Sequence, residues 1–131
     1  MKNVFISAIL MFLLTSCAST TKFPVSSVTP AAIITADVKK NKSNNFTIAV
    51  NAQNLASAER LTPPKKTYVV WIETKDKGLV NIGQLNGKNG KSSSLETLSS
   101  FEPMGIVITA EDEGSVSYPL GIEITRSSVR K

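Results

Sequence analysis

The chain has 131 residues, a formal net charge of +5, one cysteine and no histidine. That length suits a single domain. The missing histidine excludes Ser-His-Asp and Cys-His catalysis and thiolate–imidazole zinc sites, and a lone cysteine cannot close an internal disulfide.

The N-terminus is apolar and short. Lys2 supplies a positive start, and residues 4–14 form a greasy run broken only by Ser7 and Ala8. A membrane-spanning helix needs roughly 20 residues, so this run has the layout of a secretory signal peptide. Leu14-Thr15-Ser16-Cys17 ends it and resembles the lipobox of bacterial lipoproteins. The resemblance implies loss of residues 1–16 and acylation of Cys17 by palmitate-type chains. An ordinary signal peptide with an incidental cysteine is the alternative. Each buried methylene contributes about 0.8 kcal/mol, and two or more acyl chains anchor stably where one is marginal. The expected partner of Cys17 is therefore a membrane, held without a spanning helix, and the expected compartment is extracytoplasmic. Ala18 stands where an aspartate would resemble an inner-membrane retention signal, and no acidic cluster follows. The expected address is the periplasmic face of an outer membrane.

Residues 17–30 are rich in Ser, Thr and Pro, a composition that reads as a flexible tether after the acylated cysteine. Residues 31–131 then read as the folded domain. Residues 31–40 alternate loosely and are β-branched, and Phe46, Ile48 and Val50 alternate with Thr47, Ala49 and Asn51. Residues 55–61 have the one helical pattern, stopped by Pro63-Pro64. Residues 67–73 are apolar on both parities, which predicts a central strand covered on both faces. Residues 79–85 follow the turn Lys75-Asp76-Lys77-Gly78, and Asn86-Gly87 and Asn89-Gly90 signal a tight hairpin. Residues 93–98, 105–110 and 120–126 complete about seven strands, an all-β pattern that predicts an immunoglobulin-like β-sandwich, with a small barrel second.

Four segments carry a second resemblance. Tyr68-Val69-Val70-Trp71-Ile72, Val80-Asn81-Ile82-Gly83-Gln84-Leu85, Ile106-Val107-Ile108-Thr109-Ala110-Glu111 and Tyr118-Pro119-Leu120-Gly121 occur in that order. Their order and spacing resemble the extracytoplasmic C-terminal domain of the anti-sigma-K factor family, over about residues 46 to 127. The resemblance implies a β-sandwich with a sensory or envelope-structural role. The family's sigma-binding region and its spanning helix have no counterpart here, so only the outer domain is implied.

Chemistry is sparse in this sequence. No catalytic residues, cofactor or metal ligands are expected. Glu111-Asp112-Glu113 is the densest acidic group; it reads as a solvated turn, with calcium binding through oxygens as the alternative. Glu73 and Glu123 read as outward-facing strand residues. Lys39, Lys40 and Lys42, Lys65 and Lys66, Lys75 and Lys77, and Lys88 and Lys91 fall in four turns that should divide between the two ends of a sandwich. They read as solvated loop charges, with a patch for anionic lipid or acidic glycan as the alternative. Trp71 reads as core, the alternative being a stacking platform for a sugar. Tyr68 and Tyr118 are then the expected exposed aromatics. The function expected is that of a non-catalytic interaction, sensory or envelope-structural module contacting another envelope protein. Glycan binding is the alternative, and nucleic acid is not expected as a partner.

Overall fold

Alternation of apolar and polar residues along short β-branched segments produces eight strands. They are β1 (Ala18–Lys22), β2 (Ile33–Lys40), β3 (Phe46–Gln53), β4 (Thr67–Thr74), β5 (Gly78–Gln84), β6 (Ser92–Ser99), β7 (Gly105–Glu111) and β8 (Ile122–Ser128). The computed structural model describes residues 18–87 and 91–129. The strands form two four-stranded antiparallel sheets, ordered β1-β2-β3-β6 and β5-β4-β7-β8. The chain crosses between sheets after β3, β5 and β6, so the domain is a β-sandwich with immunoglobulin-like connectivity. In the lettering of that fold, β2, β3 and β6 are strands A, B and E, and β5, β4, β7 and β8 are C′, C, F and G.

The core sits between the sheets. Ile34, Ala36 and Val38 of β2 and Ile48, Val50 and Ala52 of β3 face Tyr68, Val70 and Ile72 of β4 and Ile106, Ile108 and Ala110 of β7. These are every second residue along each strand, as the period of two requires. Each of the seven strands expected from the sequence is present, with ends displaced by a few residues at most.

Three expectations are corrected. The stretch read as a tether belongs to the fold: β1 pairs with β2 from Ala18↔Lys39 to Lys22↔Thr35, and Phe23 is buried in the core. The loop after it is held too, since the Ser26 hydroxyl oxygen accepts the amides of Val28 and Thr29, and the Pro24 carbonyl accepts the Thr125 hydroxyl at 3.1 Å. The helical pattern at 55–61 yields only a 3₁₀ turn at Ala58–Arg60. It buries Ala58, and a single turn suffices because Leu55 and Leu61 reach the core from its two flanks. Finally, Asn86-Gly87 does not make a tight hairpin. It begins a crossover between sheets, in which Asn86 and Ser94 exchange backbone hydrogen bonds of 3.0 and 2.9 Å across the open flank. Asn89-Gly90, the second half of that signal, lies outside the described residues.

Candidate functional site

β4 alternates between two buried faces. Its Tyr68, Val70 and Ile72 enter the inter-sheet core, while Val69 and Trp71 point to the opposite, outer face of the sheet. Trp71 is fully buried there, packed with Val69 and Val107 and flanked by Leu79 and Val116. The cover is the connection between β7 and β8, residues 112–121, which folds back across the sheet as a strap. Asn81 on β5 pins it, donating from Nδ2 to the carbonyls of Gly114 and Val116 at 2.8 Å each. The expectation of a strand covered on both faces therefore holds, and Trp71 is core. The stacking-platform alternative fails, because the ring has no face open to a ligand.

Glu111 corrects the reading of the acidic turn. Asp112 and Glu113 are exposed, but Glu111 ends β7 and is 1% exposed. A hydrogen-bonded chain explains why a carboxylate is tolerated there. The Trp71 indole N–H donates to the Thr109 hydroxyl at 2.8 Å, that hydroxyl donates to Glu111 Oε1 at 2.7 Å, and the Leu120 amide donates to both carboxylate oxygens at 3.2 Å. Buried polar groups need such partners, and here the partners also fasten the strap at its far end. Gly121 is required at that point, since a β-carbon would collide with the Ala110 carbonyl oxygen. Among the described residues no group of three or more acidic, cysteine or histidine side chains is placed to hold a metal ion. Asn81 and Thr109 are the residues that sequence reasoning missed. The spacing Thr109-x-Glu111, two residues on one strand face, is the signal that pairs them.

Tyr68 is a further correction, because its ring lies in the core instead of at the surface. Its hydroxyl donates to the Ala56 carbonyl at 2.5 Å, and burial pushes the phenol pKa up to about 12. The ring lies beside a cavity of about 200 Å³ at one end of the sandwich, lined by Ser57, Lys66, Leu85 and Ser93 among others. Tyr118, on the strap, is the exposed aromatic, at 63%. Glu73 and Glu123 face outward as expected and converge on Arg126. Arg126 Nη1 donates to Glu73 at 3.1 Å and Nε to Glu123 Oε1 at 2.6 Å, and the Glu123 bond holds the guanidinium pKa above its usual value.

The basic turns divide between the two ends, Lys88 lying outside the described residues. Lys39, Lys40, Lys42, Lys75 and Lys77 lie at the end where β1 begins, whereas Lys65, Lys66 and Lys91 lie at the end bearing the cavity. Lys65 approaches Asp112 at 3.5 Å. Cys17, the expected acylation site, and the signal segment 1–16 lie outside the described residues. The described fold begins immediately after Cys17, at Ala18. Among the described residues no helix is long and apolar enough to cross a membrane. Comparison with known proteins gave no match, since no family model, curated protein or solved structure matches the chain.

Proposed function

We propose that this chain is a lipid-anchored, extracytoplasmic β-sandwich, held by acyl chains on Cys17 at the periplasmic face of an outer membrane. It acts without catalysis, as an interaction, sensory or envelope-structural module that meets another envelope protein. The observation that carries the reading is the Leu14-Thr15-Ser16-Cys17 motif after an apolar run, followed at once by β1 at Ala18. A cleaved chain starting at Cys17 would keep all eight strands. The sensory variant draws on the resemblance to the anti-sigma-K outer domain. Three of the four segments behind it run along β4, β5 and β7, and the fourth lies at the end of the strap that covers them. Glycan binding has lost the aromatic platform that made it attractive.

Metabolic labelling with a fatty acid tests the anchor. Wild type should incorporate label, whereas Cys17→Ala should incorporate none and persist as an uncut precursor of higher mass. Equal labelling of the two would overturn the reading.

A further inference from the structure

The end of the sandwich at which β1 begins brings exposed lysines and exposed apolar side chains together with the strand that starts beside residue 17. Strand register gathers it: Ala18 opposes Lys39, Lys40 opposes Phe46, Phe46 opposes Ser99, and Glu73 opposes Gly105. The loops between these strand ends therefore share one rim. On it stand the exposed lysines 39, 40, 42, 75 and 77, none of them in an ion pair among the described residues. The loop carboxylates on this rim are Asp76 and Glu102; Glu73 nearby is occupied by Arg126, and Asp37, two residues from Lys39 on β2, accepts the Thr20 hydroxyl. The charge excess is positive. Beside the lysines, Leu98, Phe101 and Met104 are 65%, 39% and 52% exposed. The opposite end is also basic, with Lys22, Arg60, Lys65, Lys66 and Lys91 against Glu59, Asp112 and Glu113, and it exposes Val25, Ile33 and Leu120; what it lacks is the start of β1 beside residue 17.

We propose that this rim is a membrane-contact face whose lysines take the headgroups of acidic phospholipids while Leu98, Phe101 and Met104 enter the interfacial layer. Its orientation rests on the lipoprotein reading. With β1 starting at Ala18, no residue intervenes between the strand and the anchor at Cys17, consecutive Cα atoms being about 3.8 Å apart, so no slack lifts the rim off the bilayer. Charge complementarity supplies the rest: each lysine near an anionic surface strengthens binding about fivefold, within roughly one Debye length of the headgroups. Both sources of attraction then act on the same end of the molecule.

The test uses the chain from residue 17 onward, which holds every strand of both sheets, with Cys17→Ser so that no acyl chain is present. Flotation with vesicles of phosphatidylglycerol and phosphatidylcholine should carry the protein up at low salt, and pure phosphatidylcholine vesicles should not. The triple variant Lys39→Gln, Lys40→Gln, Lys42→Gln should weaken binding about a hundredfold at fivefold per lysine. Lys22→Gln, Lys66→Gln, Lys91→Gln removes the same charge from the other end and should leave binding within about twofold of wild type by the same argument. Circular dichroism checks that both variants fold. Equal loss in the two triples, indifference to lipid charge, or binding to an anionic polysaccharide but not to vesicles would each overturn the proposal. Because this assay has no acyl chain, its failure with intact fatty-acid labelling of Cys17 condemns the contact face alone. Failed labelling with successful flotation condemns the anchor alone.

Discussion

Between the sheets, Ile34, Ile48, Val50, Val70, Ile72, Ile106 and Ile108 pack strand against strand; on the outer face, Val69, Trp71 and Val107 pack against a loop. The first cluster draws on side chains from both sheets, so each residue is held by neighbours that the backbone ladders already fix in place. The second depends on ten residues without regular structure, fastened by Asn81 at one point and Glu111 at another. Hydrophobic burial operates in both. What differs is what holds the cover down: ladder hydrogen bonds in one case, a few side-chain hydrogen bonds in the other. A cluster closed by a loop is expected to open locally at lower free energy than the sheets unfold.

Replacing the largest member of the outer cluster is the strongest way to break this comparison. Trp71→Ala should cost about 3–5 kcal/mol, as truncation of a buried aromatic does when its cavity cannot collapse. Against a typical domain stability of about 5–15 kcal/mol, that leaves a weakly folded protein. Thermal melts give the loss directly. In the wild type, Trp71 emission should be blue-shifted and resist iodide until unfolding; a fully quenchable Trp71 with an unchanged mutant melt would show that the outer cluster is not core.

A smaller effect isolates the fastening. Glu111→Ala should cost about 1–3 kcal/mol by leaving the buried Thr109 hydroxyl, and the part-buried Leu120 amide, without their acceptor. Limited proteolysis should then cut within residues 112–121 while the sheets stay intact. Cleavage at the same rate as wild type would mean that the carboxylate does not hold the strap.

The weakest perturbation probes the inter-sheet core through Tyr68. Burial raises its pKa from 10.0 to about 12, so the folded state keeps a proton that the unfolded state releases. The resulting stability is fully present below pH 10.0 and is lost as pH rises toward about 12. Ultraviolet titration in a Tyr118→Phe background, where Tyr68 is the remaining tyrosine, should show this late ionisation. Ionisation near the ordinary phenol value in the folded protein would contradict the buried position.

The two clusters also differ in how legible they are. Alternation exposes β2 and β3, because a strand with one face against a core must repeat every second residue, whereas β4 and β7 show as short continuous apolar runs. The doubly apolar run at 67–73 even announces a second covered face. It cannot say what covers it: the first part of the strap, Asp112-Glu113-Gly114-Ser115-Val116-Ser117, is mostly polar, and of it only the partly buried Val116 packs on the outer cluster. Glu111 is misread for the same reason, since its burial comes from a loop that folds back and not from its neighbours in sequence. β1 hides differently. Ala-Ser-Thr-Thr-Lys has no large apolar residue to alternate, and its place in the sheet comes from backbone pairing with β2. Cys17 is legible only as part of a motif, which is information about processing and not about packing.

If Cys17 carries the proposed anchor, the short join between it and β1 also limits height. The longest strands have eight residues and run end to end through the sandwich. At about 3.3 Å per residue they are roughly 26 Å long. A domain anchored at residue 17 therefore works in a layer next to the bilayer, about as deep as its own strands are long. It cannot sweep a wider volume as a tethered domain would. On that proposal, a protein engaging the far end, with its small cavity beside Tyr68, would have to present itself at that fixed height above the lipid.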